Sequence, residues 1–240
     1  MSDCSMPARS NAGIQEPLQS RIAAVRSLFI DGPSGRLEAL VNQGSPTARF
    51  AALVCHPHPL GGGTLHNKVV YNAMKVFNDP VWGFEFPVLR FNFRGTGLSE
   101  GVYDGLAEAA DVQAALAWLS NEFHLPIVAA GFSFGAAMTI AACCSQAPVP
   151  SVKALVCLGL PLEAEGHTYS YPQLPHCTLP KLFLSGDSDS FAPASRLTQI
   201  VGQAANPKQL ALIPGADHFF SGRIEPMQKA LGGWLLEQLP

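Results

Sequence analysis

The sequence predicts an α/β fold in which a central, mostly parallel twisted sheet carries helices on both faces. Three observations lead there. From residue 50 to the end, strand-like and helix-like apolar periodicities alternate. The strand-like runs are short and apolar throughout, the mark of strands buried on both faces. Hydrophobic residues make up 48% of the 240 residues and charged residues 14%, a balance that suits a large core. Alternation of this kind requires right-handed strand–helix–strand crossovers and a parallel sheet.

The elements follow in order. Residues 25–30 and 37–41 read as two antiparallel strands around a Gly32-Pro33-Ser34-Gly35 turn. Residues 50–55 form a buried strand, 67–77 have helical spacing, and 87–93 are the next strand. Residues 107–123 form a long helix with its apolar stripe on Val112, Ala115, Leu116 and Leu119. A strand at 127–130 leads into an alanine-rich helix at 134–144. Strands at 154–158 and 182–184, a helix at 196–203, a strand at 209–213 and a closing helix at 225–239 complete the series. The one long irregular stretch, 163–180, carries Tyr169, Tyr171, Pro172 and Pro175. It is long enough for a flap over a site and too short for a lid domain, so only a minimal lid is expected.

Residues 1–20 are polar and lack an apolar run, so they read as a flexible tail rather than a signal peptide, with one domain over 21–240. A net charge of -3 with no long basic or acidic run argues against nucleic acid or an anionic membrane surface as partner. No apolar stretch is long enough to span a bilayer. The six cysteines form no CxxC pair. Cys55, Cys143, Cys144 and Cys157 lie in apolar runs and read as small buried hydrophobes, reduced in a cytoplasmic protein. Self-association is left open.

Gly131-Phe132-Ser133-Phe134-Gly135 fits G-x-S-x-G directly between a buried strand and a helix. Such an elbow strains its apex residue and needs small neighbours two positions away, which Gly131 and Gly135 supply. The Ser133 hydroxyl is thereby held at the carboxyl edge of the sheet. The Phe134 amide, at a helix N-terminus, faces the same space and can stabilise an oxyanion. A serine hydroxyl needs a base to become a nucleophile at neutral pH. With an elbow of this kind the partners follow in the order serine, acid, histidine. Asp189, in the turn after the 182–184 strand, and His218, in the loop after the last strand, meet that order. Asp187 competes with Asp189; the Gly-x-x-Asp spacing before Pro193 favours Asp189 and leaves Asp187 to shape the turn. Glu163 is a third, weaker candidate.

The second oxyanion donor is expected from His56-Pro57-His58-Pro59-Leu60-Gly61-Gly62-Gly63-Thr64. Pro57 and Pro59 have no amide hydrogen, which leaves the amides of His58 and Leu60. His56, His58 and His66 invite a metal reading, but no carboxylate or cysteine adjoins them in the pattern metal sites use, so no metal is expected. A stiffening bond from His56 or His58 to backbone is preferred. The triple glycine lacks the rest of a phosphate loop. Arg94 could bind a substrate carboxylate, but tying its loop to Asp104, Glu108 or Asp111 is the expected role. Phe132, Phe134, Phe191, Phe219 and Phe220, near the triad in sequence, and Tyr169 of the flap are candidates for an apolar acyl pocket.

The stretches CHPHPLGGGTLHNKVVY, LRFNFRGTGLSEG, GFSFGAA, KLFLSGDSDSFAP and IPGADHFF together resemble the α/β-hydrolase superfamily. The nearest likeness is to compact, lid-poor bacterial predicted serine hydrolases, with Ala107 standing where that group tends to have glycine. The resemblance implies an α/β-hydrolase fold, a triad at Ser133, Asp189 and His218, an oxyanion loop within 56–63, and no cofactor. The expected activity is hydrolysis of a carboxylic ester or related acyl bond of a small substrate. An acyltransferase or peptidase would use the same triad, and a non-catalytic binding protein would share the fold.

Overall fold

A computed structural model describes residues 24–145, 149–164 and 167–239. The tail expected at 1–20 lies outside them. The first two strands, β1 (Val25–Gly32) and β2 (Gly35–Asn42), pair antiparallel across the expected turn. They are followed by β3 (Ala51–Cys55), α1 (Lys68–Asn78), β4 (Val88–Phe91), α2 (Glu108–Phe123), β5 (Ile127–Phe132) and α3 (Phe134–Cys143). Next come β6 (Val152–Leu158), the two-residue strands β7 (Glu163–Ala164) and β8 (His167–Thr168), and β9 (Lys181–Gly186). The chain closes with α4 (Ala194–Gln203), β10 (Lys208–Ile213) and α5 (Ile224–Gln238). The eight-stranded sheet has the order β1-β2-β4-β3-β5-β6-β9-β10. Only the β1–β2 and β2–β4 pairings are antiparallel.

Two-residue alternation along the central strands sorts side chains into two cores. Leu53 and Cys55 of β3, Ala129 of β5 and Leu155 of β6 join Val112, Leu116 and Ile140 on one face, under α2, α3 and α4. Val54, Val128, Ala130 and Val156 turn the other way, toward Val70 and Phe77 of α1 and Leu231 and Trp234 of α5. The whole of β3 is buried, which is why its five residues carry no polar side chain. Helix α1 starts where Asn67 can cap it, its side-chain oxygen accepting from the amides of Val69 and Val70 at 2.9 and 3.4 Å. Helix α2 ends at His124 in the left-handed region, φ 54°. Truncating a fully buried residue such as Leu53 to alanine would cost roughly 2–5 kcal/mol.

Two expectations need correcting. The 163–180 stretch is not wholly irregular: β7 and β8 pair as a small hairpin, and a 3₁₀ turn covers Leu174–His176. Cys144 is not a reduced thiol but is joined to Cys177 in a disulfide, Cα–Cα 5.1 Å. The apolar run around Cys143 and Cys144 hides this, because the bond joins the end of α3 to a segment 33 residues away. Cys55, Cys143 and Cys157 are free and buried; burial pushes the Cys55 and Cys157 thiols up to about 12 and raises that of Cys143 as well, far from thiolate reactivity.

Candidate active site

The loops that follow the parallel strands gather at one edge of the sheet, and the first of them is the β5–α3 elbow. Ser133 sits at its apex with φ 54° and ψ -121°, a conformation that L-residues rarely hold. Both glycines of the pentapeptide are sterically required. A Cβ at Gly131 would lie 2.3 Å from the Gly135 carbonyl oxygen. A Cβ at Gly135 would lie 2.5 Å from the His56 carbonyl oxygen on the neighbouring loop. The Phe134 amide opens the first turn of α3, where the helix dipole favours negative charge.

His218 reaches Ser133 from the loop after β10. Its Nε2 lies 3.0 Å from Ser133 Oγ, and its Nδ1 lies 2.9 Å from Asp189 Oδ2. A carboxylate only accepts, so Nδ1 carries the proton and Nε2 presents its lone pair to the serine hydroxyl. Asp189 is itself held by three further donors. Ser185 Oγ donates to Oδ2 at 2.9 Å, and the amides of Phe191 and Ala192 donate to Oδ1 at 2.8 and 3.2 Å. Ser133, Asp189 and His218 are 8%, 3% and 4% exposed, so this polar row runs through a largely desolvated region.

The competing acids lie elsewhere. Asp187 accepts from the Gly215 amide at 2.8 Å and so joins the β9 turn to the β10 loop. Glu163 pairs with Arg196 on the surface. The two loops carrying Asp189 and His218 also touch directly: a Cβ at Gly186 would lie 2.0 Å from the Ala216 carbonyl oxygen, which accepts from the Ser188 amide at 3.0 Å. Asp217 receives the amides of Ser221 and Phe219, and the Ser221 amide foremost holds its carboxyl below the usual range.

Across the cleft lies the 56–64 loop. His56 is fully buried. Its Nε2 accepts the Phe93 amide at 3.0 Å, so its Nδ1 is the protonated nitrogen and donates to the Pro57 carbonyl at 2.6 Å. Burial brings its pKa down to about 4, which keeps the ring neutral. A trans peptide points its N–H opposite to its C=O. Fixing the Pro57 carbonyl therefore fixes the direction of the His58 amide. The three histidines do not converge: His66 is exposed, His58 Nε2 lies 2.7 Å from the Tyr103 hydroxyl, and no cluster of three or more metal-ligating side chains occurs among the described residues.

Arg94 has the structural role. Its guanidinium grips both oxygens of Asp111, with Nη2 at 2.6 Å from Oδ1, and also donates to the Ala107 carbonyl at 2.9 Å. Of the three candidate partners, Glu108 and Asp111 are both fully buried, and Asp111 is the one whose carboxylate the guanidinium binds.

A cavity of about 540 Å³ opens above Ser133. His58, Leu60, Phe134, Tyr169, Phe191 and Phe219 line it, as the sequence suggested. Phe132 does not. Although it adjoins Ser133 in sequence, it points into the core under α1 and α5, where its ring lies 5.1 Å from that of His218. Phe220 is likewise wholly buried. Sequence reasoning missed Ser185, Gly159 and Tyr103. Gly159, at φ 51°, leaves room for the His218 ring, which a Cβ would meet at 3.2 Å. A lone serine, glycine or tyrosine carries no spacing signal, and only proximity reveals these roles.

The fold matches known proteins. A family model described as alpha/beta hydrolase domain matches residues 71–230. An uncharacterized protein of Rickettsia prowazekii is 35% identical over 217 residues, covering 87% of this chain and 88% of the relative. The structure of an alpha-beta serine hydrolase homologue from Coxiella burnetii superimposes with TM-score 0.77 at 33% identity, covering 88% of this chain and 97% of that one. A Xanthomonas campestris structure, described as a member of a/b serine hydrolase without lid, gives TM-score 0.78 at 27% identity over 90% and 95% of the two chains. With its sheet order, its elbow and these likenesses, the chain belongs to the alpha/beta hydrolase family.

Proposed function

We propose that this protein is a serine hydrolase that cleaves a carboxylic ester, or a related acyl bond, of a small substrate through an acyl-Ser133 intermediate. The observation that carries the reading is the continuous hydrogen-bonded row from Ser133 Oγ through His218 to Asp189, beginning on a strained elbow residue. His218 Nε2 takes the hydroxyl proton as Oγ attacks the acyl carbon. The tetrahedral oxyanion is met by the Phe134 amide and by a loop amide. His58 is the better second donor: its ring packs on Phe134 at 5.3 Å and its amide direction is set through Pro57, whereas Leu60 is 74% exposed. The carbon–oxygen bond to the leaving alcohol then breaks, and the alcohol leaves with the proton held on His218. Water, deprotonated in turn by His218, attacks the acyl carbon; the bond from that carbon to Ser133 Oγ breaks, the acid leaves, and Oγ takes the proton back from His218. Asp189 fixes the tautomer of His218 and stabilises its cation. Likeness to a lid-free serine hydrolase supports the reading.

The test is labelling with a fluorophosphonate, located by mass spectrometry, beside turnover of short nitrophenyl esters. An adduct on Ser133 that is absent from Ser133→Ala and His218→Ala is the expected result. A folded protein that neither labels nor turns over ester would move the reading to a binding protein on the same fold.

A further inference from the structure

The segment between Arg94 and α2 has so far only a structural role, yet Tyr103, Asp104, Gly105 and Leu106 of it line the cavity. Of these, Tyr103 meets the 56–64 loop. Its hydroxyl lies 2.7 Å from His58 Nε2, and its ring packs on His58 at 5.1 Å and on Phe134 at 5.7 Å. His58 and Phe134 are the two residues whose amides are assigned above to the oxyanion. The other ring nitrogen of His58, Nδ1, is buried without a hydrogen-bond partner. Among the described residues, the Tyr103 hydroxyl is therefore the hydrogen-bond partner of the His58 ring.

The arm that carries Tyr103 is unusually well anchored for a surface segment. Arg94 at its start is held by buried Asp111. The Asp104 amide donates to Glu108 at 2.9 Å, and Asp104 Oδ1 accepts from Leu106 and Ala107 at 2.8 and 2.7 Å. Gly95 and Gly105, at φ 70° and 89°, leave the space Tyr103 occupies: a Cβ at either would approach it to 3.1 Å. An anchored arm that hydrogen-bonds the His58 ring restrains the 56–64 loop, and catalytic donors demand sub-ångström placement.

We infer that Tyr103 is a positioning residue for the oxyanion site, acting through His58 to hold the 56–64 loop against Phe134. This rests on the serine hydrolase reading above. The role is realised in the tetrahedral state, because donors aimed at a developing oxyanion contribute more there than to the bound ester.

The test compares the native protein with Tyr103→Phe, His58→Phe and the double variant on a nitrophenyl ester, with phenylboronic acid as a tetrahedral-adduct probe. Tyr103→Phe keeps the ring contacts and removes only the hydroxyl. Its kcat is expected to fall about tenfold, a part of the roughly 10²- to 10³-fold lost when a donor itself is deleted. KM should stay within about twofold, and the inhibition constant of the boronic acid should rise by a factor similar to the loss in kcat. The double variant should be no slower than the slower single one, since both changes cut the same link. An unchanged kcat, a loss that falls on KM alone, or additive losses would each overturn the inference while native turnover left the hydrolase reading standing. If Tyr103→Phe melts well below the native protein, His58→Phe alone decides between the same outcomes. Absence of native turnover and of a Ser133 adduct would instead overturn the hydrolase reading, and this inference with it.

Discussion

The two walls of the cavity are built on different principles. The wall formed after β5, β9 and β10 works through side chains: Ser133, His218 and Asp189 form one row, and Asp189 alone receives four hydrogen bonds. Its loops interlock through glycine contacts and through Asp187. The wall formed after β3 and β4 is proposed to work through backbone: the loop amide proposed for the oxyanion lies in its 56–64 loop, beside His56 and the Tyr103–His58 contact. It also exposes its apolar tips, with Leu60 and Leu106 at 74% and 80%. The difference teaches that chemistry needing a particular side chain leaves a readable residue in the sequence. Chemistry needing only an amide leaves a pattern of glycine and proline that constrains the loop but does not point to the donor.

Substitutions break the comparison most sharply on the side-chain wall. Ser133→Ala should lower ester turnover by roughly 10⁶-fold, as loss of a nucleophile does in serine hydrolases generally, while circular dichroism stays native. Asp189→Asn should cost about 10⁴-fold in kcat, because the amide can donate to His218 Nδ1 and so favours the wrong tautomer. Activity near the native level in Asp189→Asn would remove Asp189 from the reading.

Stability measurements sharpen the contrast on the other side. The Cys144–Cys177 disulfide staples the 163–180 flap to the end of α3. Reduction, or Cys144→Ser, should cost about 3–4 kcal/mol by the entropy of a loop this long, read from urea unfolding with and without reductant. Turnover of a short nitrophenyl ester should survive, because neither cysteine lines the cavity above Ser133.

His56 gives the open wall a pH limit. Its pKa is about 4 in the folded chain against 6.5 for an ordinary histidine. As pH falls below 6.5 the unfolded chain takes the proton first, so stability is complete above 6.5 and is lost from there down to about 4. At pH 5 the loss from this residue should be about 2 kcal/mol relative to pH 7. Urea unfolding of His56→Gln should lack that share of the acid sensitivity, and an unaltered pH dependence would contradict the assignment. The smallest effect belongs to Asp187→Asn. Weakening its bond to Gly215 should cost about 1 kcal/mol and leave kcat within about threefold, in contrast to its neighbour two residues on.

Much of this was legible beforehand, for identifiable reasons. Among the described residues, the strands of the main sheet and helices α1–α5 fall where apolar periodicity puts them, because burial on both faces of a parallel sheet admits few polar residues. Ser133, Asp189 and His218 are legible because an elbow and two strand-end loops recur at the same sheet edge in chain order. Asp187 shows where local reading thins out: of two aspartates in one turn, one meets the Gly215 amide and the other the His218 ring of the same β10 loop. Phe132 and Cys144 show its failures. One side of the elbow faces the core rather than the cavity, and a bond across 33 residues leaves no local trace.

The sequence by itself determined the sheet, the elbow and the serine and histidine proposed to react, since these follow from periodicity, glycine sterics and chain order. The tertiary structure alone decided which aspartate meets His218, that Gly159 makes room for its ring, that His56 aims the neighbouring peptide, and that Tyr103 reaches His58. Each of these depends on distances between loops on different strands, and those distances are set by how the two cores pack against the sheet.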